Sequence, residues 1–357
     1  MKRTLPVLIK YLAVVAVSCF LAFVISQNPV FAKDAAIQKT AGAPTATDYA
    51  SPGAYKVEAS TAMWRDSARM RDIPVKLYFP VIAGVAADGT KFPVILFSHG
   101  LGGNREGGKR WAEHWASHGF VVVAIQHPGS DEALWKDAEP RDFASRMKAG
   151  MTMNNLGLRV NDVRFVIDEV IRRARSDEAA FAHADPARLG MSGHSFGAQT
   201  TLAVTGQKAP SIGGQSGLDL RITAAIAFSP NARNKRNLAR QFGDIALPFF
   251  SITGSEDRSI LDDGTKSADR WTPYAYMPPG QKYLAVFDGG DHMVFGGHAL
   301  GGRRPETARD RQIQERVMAG TLAFWNAQLK QDVTARSWLE QGGYQATLGD
   351  KDVFDRK

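Results

Sequence analysis

Short apolar runs of five to seven residues recur along this chain, separated by segments with the 3.6-residue period of a helix. That alternation restricts the fold more than any other feature. Residues 92–98, 120–125, 222–228, 247–253 and 283–287 are continuous apolar runs of the kind buried parallel strands require. Residues 73–80 alternate apolar and polar side chains, as a strand with one exposed face does. Between them, residues 107–118 and 307–329 are helical in character, with a shorter helical tail through Trp338. Residues 158–175 place Val160, Val163, Val166, Ile167, Val170 and Ile171 at helical spacing, with acidic residues and arginines between them. This rhythm predicts one α/β domain over residues 53–357, with a mostly parallel central sheet and helices on both faces.

The short strand predicted at 188–193 runs directly into Gly193-His194-Ser195-Phe196-Gly197, and a helix is expected from 195 to 205. A serine between two glycines at a strand-to-helix turn is the pattern of a nucleophile elbow. The glycines leave room for the tight turn, and the serine is exposed at its tip. A serine hydroxyl becomes a useful nucleophile only when a base removes its proton. At such an elbow the acid and then the histidine follow the serine in the chain. Six of the eight histidines precede Ser195, which leaves His292 and His298. His292, in Gly289-Gly290-Asp291-His292 directly after the strand at 283–287, is the better placed general base.

The strand at 247–253 ends in Gly254-Ser255-Glu256-Asp257, and Asp257 is the expected acid, with Glu256 its nearest rival. Asp288 and Asp291 flank the histidine and read as turn and capping residues. Acyl transfer also needs donors for a developing oxyanion. The backbone N–H of Phe196 is one candidate. Leu101, in the loop His99-Gly100-Leu101-Gly102-Gly103 after the strand at 92–98, supplies the other. His99 reads as a structural member of that loop.

With these residues in place, the chain resembles the α/β-hydrolase superfamily over nearly all of 53–357. The stretch Pro93-Val94-Ile95-Leu96-Phe97-Ser98-His99-Gly100-Leu101-Gly102-Gly103 is similar to platelet-activating-factor acetylhydrolases and their bacterial, dienelactone-hydrolase-like relatives. So is Trp115-Ala116-Ser117-His118-Gly119-Phe120 with the valines that follow. The elbow and the Gly-x-x-His at 289–292 fit the same group. The resemblance implies an α/β-hydrolase fold, Leu101 and Phe196 as the oxyanion donors, and hydrolysis of carboxylic esters through an acyl-enzyme. Animal acetylhydrolases carry their acid at the end of the strand after the elbow helix. Here that strand ends Ala227-Phe228-Ser229-Pro230 without one, so phospholipid specificity does not carry over. Dienelactone hydrolases proper use a cysteine where this chain has Ser195, so that relative does not give the substrate either.

The expected activity is therefore a secreted serine esterase acting on short-chain acyl or lipid-like esters. Amide or peptide hydrolysis by the same three residues is the alternative. A non-catalytic binding protein on this scaffold would usually lack one of the three, and none is missing.

The N-terminus stands apart. Lys2, Arg3 and Lys10 precede an apolar run over 11–25, and Val30 and Ala32 have the spacing of a signal-peptidase site. Residues 1–32 read as a signal peptide cleaved after Ala32, implying a secreted or periplasmic protein, and 33–52 as a mobile leader. Cys19, the only cysteine, lies inside that apolar run; lipidation there is the alternative to a plain apolar role. Without it, neither a disulfide nor a thiolate site can form. The +8 net charge is scattered, with Arg233, Lys235 and Arg236 the densest group, and gives no nucleic-acid footprint. His114 and His118 stand four apart but lack a third ligand, and Asp262-Asp263-Gly264 lacks the rest of a calcium loop. No metal or cofactor is expected. Two segments, 127–155 with Trp135, Met147, Met151 and Met153, and 261–281 with Trp271, Tyr274 and Tyr276, are expected to lie over the carboxyl edge of the sheet. Trp64, Trp111, Trp115 and Trp325 are expected in the core.

Overall fold

The computed structural model describes residues 44–82, 89–176, 178–208, 217–232, 235–259, 261, 264–297 and 305–357. The expected signal peptide with Cys19, Arg233, the Asp262-Asp263 pair and His298 lie outside the described residues. A short helix α1 (Ala46–Ala50) precedes a long hairpin of β1 (Lys56–Asp66) and β2 (Arg71–Val81). Then come β3 (Phe92–Ser98), α2 (Lys109–Ser117), β4 (Val121–Ile125), α3 (Phe143–Gly150), α4 (Met153–Arg175) and β5 (Ala184–His194). Helix α5 (Phe196–Val204) leads to β6 (Ile222–Phe228), α6 (Leu238–Phe242), β7 (Phe249–Glu256), α7 (Thr272–Tyr276) and β8 (Lys282–Asp291). Helices α8 (Ala308–Leu329) and α9 (Val333–Glu340) and strand β9 (Val353–Arg356) complete the domain.

The strands form one sheet in the order β1-β2-β4-β3-β5-β6-β7-β8-β9. The six from β4 through β8 run parallel, while β1, β2 and β9 are antiparallel additions at the two edges. This is the α/β-hydrolase fold. Side chains alternate between its two faces. Ile95 and Phe97 of β3 share a core with Trp111 and Trp115 of α2 and Trp325 of α8. Val94 and Leu96 share the opposite core with Val160, Val163 and Ile167 of α4. The four tryptophans expected inside, Trp64, Trp111, Trp115 and Trp325, are all buried.

The two edge strands have no counterpart in the sequence reading. Within β1 only Trp64 and Asp66 are buried, so its sequence shows no clear alternation. The last residues of the expected mobile leader are also ordered into structure. Thr45 and Asp48 form a capping box on α1. Tyr49 is buried with its ring centroid 4.6 Å from that of Trp338. The imidazoles of His114 and His118 each reach a carbonyl of this segment, Tyr49 O and Ser51 O, at 2.9 Å. One apolar anchor and a completed cap suffice to dock five residues whose composition suggested a loop.

Arg159 and Asp162 of α4 also depart from expectation. They sit among the apolar positions of the helix, and both are fully buried. Asp162 accepts from Arg69 Nη1 at 2.9 Å, from Arg71 Nε at 2.8 Å and from His127 Nδ1 at 3.0 Å. Burial alone would raise its pKa, but the hydrogen bonds and charges of His127 and Arg71 outweigh it and hold the carboxyl well below its ordinary range. Its contribution to stability is therefore complete above the unfolded-state pKa and disappears only as pH falls through the lower folded value. Asp162→Asn should destabilise the protein by about 2–4 kcal/mol, because it leaves two partly buried arginines and the buried His127 without their acceptor. Urea unfolding should show that gap constant from about pH 5 to 8 and closing below about pH 4.

Candidate active site

Strand β5 ends at His194 and α5 begins at Phe196, with Ser195 between them at φ 57° and ψ −111°. The backbone is left-handed there for a residue with a side chain, a conformation that persists only where the surroundings enforce it. The enforcement is backbone packing. A Cβ on Gly197 would lie 1.8 Å from the Ser98 carbonyl oxygen, and one on Gly193 would lie 2.4 Å from the Gly197 carbonyl oxygen. Ser195 N–H donates to Phe228 O at 2.9 Å, tying the turn to the end of β6.

The elbow lifts Ser195 Oγ to 2.9 Å from His292 Nε2. His292 follows the last residue of β8, and its Nδ1 lies 2.7 Å from Asp257 Oδ1. Asp257 is fully buried beyond the end of β7 and accepts a second hydrogen bond from Thr253 Oγ1 at 2.7 Å. With the Nδ1 proton directed at the carboxylate, Nε2 is left as an acceptor for the serine hydroxyl. His194 reaches the His292 carbonyl at 2.9 Å through its Nε2, so the elbow also holds the histidine's backbone. Glu256, the rival acid, is largely exposed and turned toward Arg258. Asp291 accepts from the N–H groups of Met293 and Val294 at 3.0 Å each, which is the turn chemistry expected of it.

Sequence reasoning missed Arg270. Its buried guanidinium lies 3.3 Å from Asp257 Oδ1 and donates to the carbonyls of Asp257 at 3.2 Å and Ser229 at 2.8 Å. Its Nη2 also lies 3.2 Å from His292 Nδ1, a contact and not a hydrogen bond once that nitrogen's proton points to Asp257. Burial would raise the Asp257 pKa, yet the charge and hydrogen bond of His292, with the Arg270 charge, hold the carboxyl below its ordinary range. The arginine lies in the segment 261–281 expected over the site, but only its placement beside Asp257 distinguishes it from a surface residue.

Leu101 and Phe196 face the same cavity as Ser195 and His292. Phe196 is the first residue of α5, where a backbone N–H has no acceptor within the helix. Gly102 N–H donates to Ser130 O at 2.9 Å and Gly103 N–H to Gly100 O at 3.1 Å, on one side of the Leu101 N–H. The cavity has a volume of about 190 Å³, and Met151, Gln199, Asn231, Leu261 and Arg270 also line it. Both segments expected over the sheet edge therefore reach it. Trp135 donates to Gly102 O at 2.6 Å and, like Trp271, is 40% exposed. Among the described residues no three His, Cys, Asp or Glu side chains cluster as metal ligands.

Residues 53–141 match the sequence profile of the family described as platelet-activating factor acetylhydrolase, isoform II. The chain resembles those acetylhydrolases. Over the matched stretch, which runs from before β1 through the Leu101 loop to the segment ahead of α3, the likeness supports a hydrolase acting on esters. Ser195, Asp257 and His292 lie beyond it. None of the curated proteins matches the chain.

The elbow geometry makes opposite predictions for two glycines. Gly197→Ala should cost at least about 3 kcal/mol, since its methyl group would displace the end of β3. Gly157→Ala in α4 meets nothing within 4 Å and should stabilise by about 0.5–1 kcal/mol. Thermal unfolding of the two variants checks both signs.

Proposed function

We propose that this protein is a serine esterase in which Ser195 is the nucleophile, His292 the general base and acid, and Asp257 the residue that orients the imidazole. The observation that carries this reading is the unbroken hydrogen-bonded chain from Ser195 Oγ through His292 to Asp257, opening on a cavity shared with Leu101 and Phe196. Ser195 Oγ attacks the ester carbonyl as His292 Nε2 takes its proton. The backbone N–H groups of Leu101 and Phe196 receive the oxyanion. Collapse breaks the ester C–O bond, and His292 returns the proton to the departing alkoxide. Water then repeats the sequence on the acyl-enzyme and releases the acid.

The cavity of about 190 Å³ is small beside the roughly 300–1,000 Å³ of pockets for drug-sized ligands, which favours a short acyl group over a long chain held inside. The apolar side chains of Leu101, Met151 and Leu261 in its lining suit an apolar, lipid-like ester. The basic, apolar and small-residue pattern of residues 1–32 supports export and cleavage after Ala32. Among the described residues no helix is long and apolar enough to cross a membrane.

A series of p-nitrophenyl esters from acetate to palmitate tests the reading. Turnover should be highest for the short acyl groups and vanish in Ser195→Ala and His292→Ala. Asp257→Asn should lower kcat by up to about ten-thousand-fold. Wild-type turnover in Ser195→Ala would remove the nucleophile assignment. A folded protein inactive on every ester would point to amide substrates or to a binding role.

A further inference from the structure

One candidate oxyanion donor lies in the loop after β3 and the other at the first residue of α5, and one buried cation touches both. Arg159 is fully buried, and its guanidinium reaches the loop after β3 and the loop after β4 together. Nη1 donates to His99 O at 2.6 Å and approaches Ser98 Oγ at 3.4 Å. Nη2 lies 3.4 Å from Gly100 O and 3.3 Å from Ser130 O, and Nε donates to Ser130 Oγ at 2.8 Å. The guanidinium carbon stands 4.4 Å above the ring of Phe196, whose own N–H is the other donor. Burial pulls the Arg159 pKa down to about 9, so it stays charged at neutral pH.

The Gly100 carbonyl and the Leu101 N–H are the two ends of one planar trans peptide, so they point in opposite directions. Three donors converge on the carbonyl end. They are Arg159 Nη2, the Gly103 N–H at 3.1 Å and His99 Nδ1 at 2.6 Å. His99 can donate from Nδ1 because its Nε2 accepts the His127 N–H at 3.0 Å, which fixes the tautomer. Burial, with Arg159 and His127 beside it, pushes the His99 pKa well down and keeps the ring neutral. His127 in turn lies 2.9 Å from Ser98 Oγ and 3.0 Å from Asp162. Ser98, His127 and Asp162 thus form a second serine–histidine–aspartate chain, but all three are buried, and it ends on Arg159 instead of a cavity. Pinning the carbonyl end of this peptide fixes the direction of its N–H end, which belongs to a residue lining the same cavity as Ser195, and charge on the carbonyl strengthens the N–H as a donor.

Resting on the esterase reading above, we infer that Arg159 is the positioning residue of the oxyanion hole, orienting and polarising the Gly100–Leu101 peptide and seating Phe196. It touches no substrate and is expected to act on the transition state alone. Arg159→Met, which removes the charge, and Arg159→Lys, which keeps a charge but loses the fork, should each lower kcat for p-nitrophenyl acetate by about a hundred-fold, the effect of a donor misplaced by about 1 Å. KM should stay within about two-fold, as for an interaction made only in the transition state.

An alkyl trifluoromethyl ketone captures Ser195 as an anionic hemiketal, and its inhibition constant should rise by the same factor as kcat/KM falls. A purely structural role would lower the melting temperature and active fraction without that matched change in the hemiketal affinity of the remaining sites. If Arg159→Met does not fold, Ser130→Ala removes the Nε acceptor and should lower kcat several-fold at constant KM. Wild-type kcat in a folded Arg159 variant, or in Ser130→Ala, overturns the inference, as does a loss of kcat with unchanged inhibitor affinity. Failure of the underlying reading is seen separately, as esterase activity retained in Ser195→Ala.

Discussion

The ends of β3 and β5 approach until their backbones touch, and the rest of the site is arranged around that contact. Gly193 and Gly197 have no room for a Cβ because the Ser98 carbonyl and the first turn of α5 fill the space. This closeness forces Ser195 into its left-handed turn and sets it beside the loop that begins at His99. Ser195 and the Leu101 loop are therefore fixed by one backbone contact, and the strain at Ser195 is borne by the sheet around it. His292 and Asp257 reach the same point from β8 and β7, which the parallel order places three and two strands farther along from β5.

Two arginines neutralise what this convergence buries. Arg270 stands behind Asp257 and His292, and Arg159 behind the peptides that face the serine. Each makes most of its hydrogen bonds to backbone carbonyls at strand ends, where a sheet leaves acceptors unpaired. A guanidinium suits both places because its fork of donors can meet several carbonyls in one plane while its charge offsets a nearby carboxylate. The electrostatics on the two sides of the serine thus differ. One arginine backs the buried Asp257 carboxylate, and the other backs the Gly100 carbonyl and its neighbours.

Much of this was legible in the sequence, and the limits have physical causes. Buried parallel strands announce themselves by continuous apolar runs, and the strands at 92–98 and 222–228 appear in the structure with those bounds. The elbow pattern and the order of serine, acid and histidine placed Ser195, Asp257 and His292, which the structure brings into one hydrogen-bonded chain. Arg159 was hidden because helical period tells which face is apolar, not which polar residue on that face will find partners. Its acceptors come from the loops after β3 and β4, far away in the chain. Chain order likewise set His99 and His127 aside as bases without revealing where their ring nitrogens bond. Strand β1 and helix α1 escaped notice because an edge strand with few buried residues and a one-turn helix carry almost no periodic signal.

Strand β8, which delivers His292, is flanked on its inner side by β7 and on its outer side by β9. Residues 353–356 pair with 283–286, so the outer edge of the strand that carries the histidine is covered by a short strand from beyond α9. Fraying of the short outer strand would loosen the histidine-bearing strand on one side only, because β7 still pairs with it on the other.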